Sequence, residues 1–127
     1  MTSGTPFSLV LHDGAYDRLH YALVMASAAA AIGRRVTLLL AGDAVHLLAK
    51  TWQPPAEDAT ARAKGVAGIE ELLDACNELG TRIIVCETAL VLADLTTDDL
   101  RTDITWGSGG FVSYLNAAGD DGQMLFI

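Results

Sequence analysis

Arg82-Ile83-Ile84-Val85-Cys86-Glu87-Thr88-Ala89-Leu90 is the stretch on which the fold turns. Its first five residues are a short apolar run of the kind that forms a buried strand. The chain then passes without a spacer into residues that begin a helix. Upstream, Ile69, Leu72, Leu73 and Cys76 recur at spacings of three and four, which predicts a helix from Val66 that Gly80 stops. Helix, glycine, strand, helix is the grammar of a parallel sheet.

The same grammar extends in both directions. Phe7-Ser8-Leu9-Val10-Leu11 reads as a strand ended by His12-Asp13-Gly14. Asp13 or Gly14 starts a long helix through Ile32, and Gly33 stops it. Val36 to Leu40 is a continuous apolar run, as in a strand buried on both faces. A short helix carrying Val45, Leu47 and Leu48 follows, and residues 50–64, with Trp52, Pro54 and Pro55, read as an irregular loop. Beyond Cys86, Ala89 to Leu95 forms a short helix. Gly107-Ser108-Gly109-Gly110 opens another, with Phe111, Leu115 and Ala118 on one side, and Gln123 to Ile127 is a terminal strand. Strands alternating with helices predict a parallel sheet covered on both faces, in one domain over residues 1–127.

Composition narrows the function classes. Hydrophobic residues make up 51% of the 127 residues, enough for a core without metal or disulfide staples. A formal charge of −8 argues against nucleic acid and anionic membranes, since tracking phosphates needs clustered lysine and arginine. It suits a protein that meets small molecules or basic patches on protein partners. The start, Met1-Thr2-Ser3-Gly4-Thr5-Pro6, has no charged end followed by an apolar run, and the apolar stretch Ala22 to Ile32 is too short to span a bilayer. The cytoplasm is the expected compartment.

The first long helix is apolar on two faces. Leu19, Leu23, Ala26 and Ala30 mark one, and Ala22, Met25, Ala29 and Ile32 the other. A helix apolar all round is usually buried all round, so the second set is expected to pack on another copy in a homo-oligomer.

Strand ends converge on one edge of a parallel sheet, and ligands bind there. The first strand delivers His12 and Asp13, the second Gly42 and Asp43, and the third Cys86. Gly109 and Gly110, in the glycine-rich turn, offer backbone N–H groups to an anion. Thr88 begins the helix after Cys86, whose N-terminus favours a thiolate. Trp52, on the long loop, is placed to shade the same edge. Each residue also has a plainer reading. A strand cysteine often only packs, Glu87 opposes a thiolate, His12 and Asp13 can cap the first helix, and Trp52 can pin its own loop. His20 and His46 have no partner at metal-ligand spacing and read as structural or surface residues. No metal site is expected.

The two cysteines make neither a metal spacing nor a disulfide framework. Cys76 lies about one turn before the Gly80 joint, while Cys86 lies roughly 16 Å beyond it along the strand. A disulfide needs Cα atoms within about 7 Å, so the two thiols are expected to stay free.

The run from Asp74 to Ala89, with the Ala-rich helix ending Gly33-Arg34-Arg35-Val36 and the tail Gly109-Gly110-Phe111-Val112-Ser113-Tyr114-Leu115 leading to Leu125-Phe126-Ile127, resembles the DsrE-like sulfur-relay family. The likeness is to its stand-alone branch, sometimes mislabelled as peroxiredoxins. It covers nearly the whole chain. It departs after the cysteine, where that branch often carries Met-Ser or Met-Thr near the position of Thr88-Ala89. The resemblance implies a flavodoxin-like three-layer α/β/α sandwich with a mainly parallel five-stranded sheet, in an oligomer. It also implies that Cys86 is the sulfur-accepting cysteine. The function expected is a sulfur carrier of sulfurtransferase type. It holds a persulfide on Cys86, exchanges sulfur with donor and acceptor proteins, and needs no cofactor. The alternatives are a module binding a nucleotide, flavin or anion, and a non-catalytic oligomer subunit.

Overall fold

A computed structural model of the chain describes residues 4–127. The first three residues of the expected domain, and with them half of the stretch Met1 to Pro6, lie outside the described residues. Strands β1 (Phe7–Leu11), β2 (Val36–Leu40), β3 (Arg82–Cys86), β4 (Gly107–Gly109) and β5 (Gln123–Phe126) form one sheet in the order β4-β3-β2-β1-β5. Every neighbouring pair is parallel. The helices are α1 (Tyr16–Ala31), α2 (Ala56–Ala63), α3 (Ile69–Glu78), α4 (Glu87–Leu92) and α5 (Phe111–Ala118). A 3₁₀ helix spans Gly42–Leu48, and a short 3₁₀ turn spans Thr97–Asp99.

Chain order and handedness place the layers. The steps β1 to β2 and β2 to β3 run one way across the sheet, so right-handed crossovers put α1 and α3 on one face. The step from β4 to β5 runs back across the whole sheet and puts α5 on the other. Strand alternation then assigns the side chains. Leu9, Leu11, Leu38, Leu40, Ile83 and Val85 face α1 and α3, and all are sealed. Ser8, Val10, Thr37, Leu39, Ile84 and Cys86 face α5, which buries only Tyr114 and Ala118 of its own residues. A side chain at Gly109 would meet Ile84 and Ser113 of α5, which fixes that assignment for the β3 end of the sheet.

Four details differ from the sequence reading. Residues 56–63 are helical, not irregular: Pro55 stands just before the helix, Glu57 and Asp58 lie in its first turn, and Arg62 lies in its last. Its one buried residue, Asp58, accepts hydrogen bonds from the Tyr16 hydroxyl and the Ile69 N–H, both at 2.9 Å, and pairs with Arg62 at 3.4 Å. That carboxylate ties α2 to α1 and α3. Burial, and next the Asp58 carboxylate, push the Tyr16 phenol up to about 12.

Gly107-Ser108-Gly109 does not open a helix but is the edge strand β4, paired with Ile84, Val85 and Cys86. The segment before it is held from outside. Arg101 bonds both Glu70 and Asp103, the Trp106 indole N–H donates to the Arg101 carbonyl at 2.7 Å, and the Thr105 N–H donates to Asn77 at 2.9 Å. The Arg101 guanidinium holds the Asp103 carboxyl down at about 2. In α4, the helix begins at Glu87 and spans six residues, starting two residues before the expected Ala89.

The fourth difference concerns α1. Ala22 and Ala29 do not face outward: both are buried in this chain's own core. Alanine carries no sign of which side a helix presents. The outward apolar stripe is Tyr21, Val24, Met25 and Ile32.

Candidate functional site

Four parallel strands end at one pole of the sheet, and their last residues or the next ones meet around a single concavity. From β1 comes His12, from β2 come Ala41 and Gly42, from β3 comes Cys86, and the exposed end of β5 brings Phe126. The cavity holds about 530 Å³, within the range that takes a small organic molecule.

Cys86 stands at the position before the first turn of α4, with an extended backbone and 7% of its surface exposed. Its strand is pinned on one side by β2 and on the other by β4, where Gly109 lies in register with it. Thr88, one residue into α4, lines the cavity beside it. Six residues make α4 too short to present a strong dipole, so the environment of the thiol is set chiefly by the cavity walls.

His12 is held rigidly. Its backbone N–H donates to the Ile127 carbonyl at 2.6 Å, and its ring stacks on Phe126 with centroids 5.6 Å apart. Gly42 presses against its other side. With φ of +47°, Gly42 has a backbone that favours glycine, and a Cβ there would lie 2.6 Å from the His12 Cδ2. Glycine is required on both counts.

The remaining polar walls are Asp43 and His46, both on the 3₁₀ helix after β2. The apolar walls are Ala89, Leu92 and Ala93 from the α4 segment, with Phe111 from α5 and Phe126 from β5. Leu92 is 79% exposed, Phe126 63% and Phe111 45%, so these side chains form a rim rather than a floor. No lysine or arginine lines the cavity.

Of the residues singled out in the sequence, Cys86, Thr88, His12, Gly42 and Asp43 come together here. Gly109 lies beside Cys86 in the sheet, and Gly110 caps α5. Neither glycine lines the cavity. Asp13 turns away: its carboxylate accepts the Ala15 N–H at 2.8 Å and pairs with Arg18 at 3.4 Å, anchoring the start of α1. Trp52 lines a different hollow, with Glu70 and Arg101, on the flank of α3. His46 joins the cavity although it reads as a surface residue. The available signal was its position four residues after the Gly42 turn at a strand's C-terminal end. His20 is structural, with its Nε2 2.8 Å from the Ala67 carbonyl oxygen.

Cys76 is the internal contrast. It is fully buried on α3, burial pushes its thiol up, and like Cys86 it is unpaired. Among the described residues no three His, Cys, Asp or Glu side chains are grouped to hold a metal ion, and no helix is long and apolar enough to cross a membrane.

The fold has solved counterparts. MTH1491 of Methanobacterium thermoautotrophicum, a protein of unknown function, superposes with a TM-score of 0.71 at 11% identity, over 98% of this chain and 100% of that one. YchN of E. coli superposes with a TM-score of 0.65 at 15% identity, over 98% and 100% of the respective chains. At such identities the likeness concerns the fold. No curated protein matches this chain by sequence. The model of the DsrE/DsrF-like family matches residues 7–121, and the chain belongs to that family.

Proposed function

We propose that this protein is a cytoplasmic sulfur carrier of sulfurtransferase type, a single domain over residues 1–127 that holds sulfur as a persulfide on Cys86. The observation that carries this reading is the placement of Cys86. In a chain of a family generally associated with sulfur relay, it is the one thiol in the cavity at the strand ends, while Cys76 is sealed in the core.

The chemistry follows from the walls. His12 and His46 line the same cavity as the thiol, and the imidazole of either is suited to take the Cys86 proton. The thiolate attacks the outer sulfur of a sulfane donor; the new bond is Cys86 Sγ–S, and the donor leaves with the electrons of the broken S–S bond. The persulfide carries the transferable sulfur about 2 Å further toward the mouth, where an acceptor protein's thiol takes it. Thr88, which lines the cavity beside the thiol, is the proposed donor that steadies the sulfur anion, whereas Gly109 and Gly110, which lie outside the cavity, are not. No metal or organic cofactor enters these steps.

The test is mass spectrometry after treatment with a persulfide donor. The expected result is a gain of one sulfur atom that Cys86→Ser abolishes and Cys76→Ser retains. An adduct that survives Cys86→Ser overturns the assignment. A protein that never gains sulfur but binds small molecules in the cavity supports the alternative of a binding module, which the volume of the cavity also favours.

The protein is further proposed to work as a homo-oligomer through the outer face of α1, where Tyr21, Met25 and Ile32 are 71%, 43% and 74% exposed at helical spacing. Light scattering is expected to return a multiple of the chain mass. Met25→Asp is expected to reduce it to one chain without unfolding. A single-chain mass for the unaltered protein refutes the assembly.

A further inference from the structure

The cavity is not what an inorganic sulfur donor needs. Thiosulfate is a compact dianion, and a site for it calls for cationic side chains or converging donors. Here the walls hold no lysine or arginine, Asp43 adds a carboxylate, Glu87 follows the thiol, and the chain carries a formal charge of −8. The space is also far larger than one sulfur atom requires, and its outer half is apolar. Leu92, Phe111 and Phe126 stand around the mouth, and Phe126 is braced by the stacked His12 ring. Cys86, with 7% of its surface exposed, lies at the bottom, where a slim molecule reaches it more readily than a folded protein does.

We infer that the sulfur donor for this site is a small organic sulfane compound of low charge, its sulfur directed at Cys86 and an apolar or aromatic body lodged among Leu92, Phe111 and Phe126. This deepens the sulfur-carrier reading and rests on it. With an organic thiosulfonate anion the step balances. The Cys86 thiolate bonds to the sulfane sulfur, the bond between the two donor sulfurs breaks, and the sulfinate leaves with the bonding pair. One persulfide anion and one sulfinate replace one thiolate and one thiosulfonate, with no external oxidant or reductant.

The experiment compares thiosulfate with the benzenethiosulfonate anion, each followed by the rate of sulfur gain on the full chain. Each rate is divided by that of N-acetylcysteine with the same donor, which removes intrinsic reactivity. The expected preference for the aromatic donor is at least about tenfold, the gain from burying a ring against apolar side chains. Leu92→Ala and Phe111→Ala, both at exposed rim positions, are expected to erase most of that preference. In parallel, benzenesulfinate is expected to shield Cys86 from iodoacetamide where sulfite does not. Sulfur gain with no aromatic preference and no shielding overturns this inference and leaves the carrier reading standing. Shielding without sulfur gain from any donor overturns the carrier reading, and the donor assignment with it.

Discussion

On the sheet face that packs against α1 and α3, Leu9, Leu11, Leu38 and Leu40 are wholly covered, and the one buried carboxylate, Asp58, has three partners. On the face under α5, a helix of eight residues covers the middle and leaves Met124 and Phe126 exposed at one edge. The hydroxyls of Ser8 and Tyr114 are buried there with no protein partner. Each face carries one cysteine side. Cys76 belongs to the sealed layer, while Cys86 points to the thin one, at the strand end where a cavity opens. Stability is concentrated on the first face and access on the second, as expected if binding sites are drawn from the less well-packed parts of a fold.

The largest expected effect tests that division directly. Leu38→Ala on the sealed face is expected to lower unfolding stability by about 3 kcal/mol, because neighbouring leucines cannot collapse into the space. Leu115→Ala on α5, at a position 53% exposed, is expected to cost less than about 0.5 kcal/mol. Urea melts of the two variants check both. Similar costs would mean that the two faces are equally packed.

Next comes the pair of thiols. In native protein Cys86 is expected to react with iodoacetamide at least about tenfold faster than Cys76, which needs α3 to open first. Burial also pushes the Cys76 thiol up, lowering its thiolate fraction. Peptide mapping after timed alkylation reads the ratio, which is expected to fall toward one in denaturant. Labelling of Cys76 first would break the comparison.

The sequence announced the sealed face better than the open one. β1, β2 and β3 are legible because parallel strands under helices are continuous apolar runs, and α3 because its buried residues recur at helical spacing. Residues 56–63 hide their helix because they bury a single aspartate, and Pro54-Pro55 reads as a break although Pro55 is a helix start. β4 is Gly-Ser-Gly and has no propensity of its own; pairing with β3 makes it a strand. At the site, Cys86, His12 and Thr88 follow from the rule that ligands sit at strand ends. Phe111 and Phe126 do not, because their convergence depends on α5 crossing the sheet to return β5 beside β1. Ala22 and Ala29 face inward without a signal in the sequence, because alanine carries no sign of which side of a helix it occupies.

A smaller effect concerns one of the two unpaired hydroxyls under α5, that of Tyr114. An unsatisfied buried polar group costs free energy that a same-shaped apolar group does not. Tyr114→Phe is therefore expected to raise stability by about 1 kcal/mol, with the cavity and the reactivity of Cys86 unchanged. A loss of stability would show that the hydroxyl is satisfied in solution, leaving Ser8 as the unpaired hydroxyl of the open face.

The smallest effect is a pH dependence on the sealed face. Burial and the Asp58 carboxylate favour the neutral phenol of Tyr16, which donates to that carboxylate, and raise its pKa from an ordinary value near 10 to about 12. The folded chain therefore holds this proton more tightly than the unfolded one does. The contribution is fully present below about pH 10 and is lost as pH rises toward 12, because the unfolded chain then sheds the proton first. Unfolding stability measured in that window is expected to decline in the unaltered protein. The decline should be shallower in Tyr16→Phe, which loses the hydrogen bond at every pH but has no phenol to ionise. Parallel slopes for the two proteins would mean that Tyr16 titrates as if unbonded. The Asp58 junction would then lose the contact that joins α2 to α1, and the sealed face would be less tightly tied than its hydrogen bonds indicate.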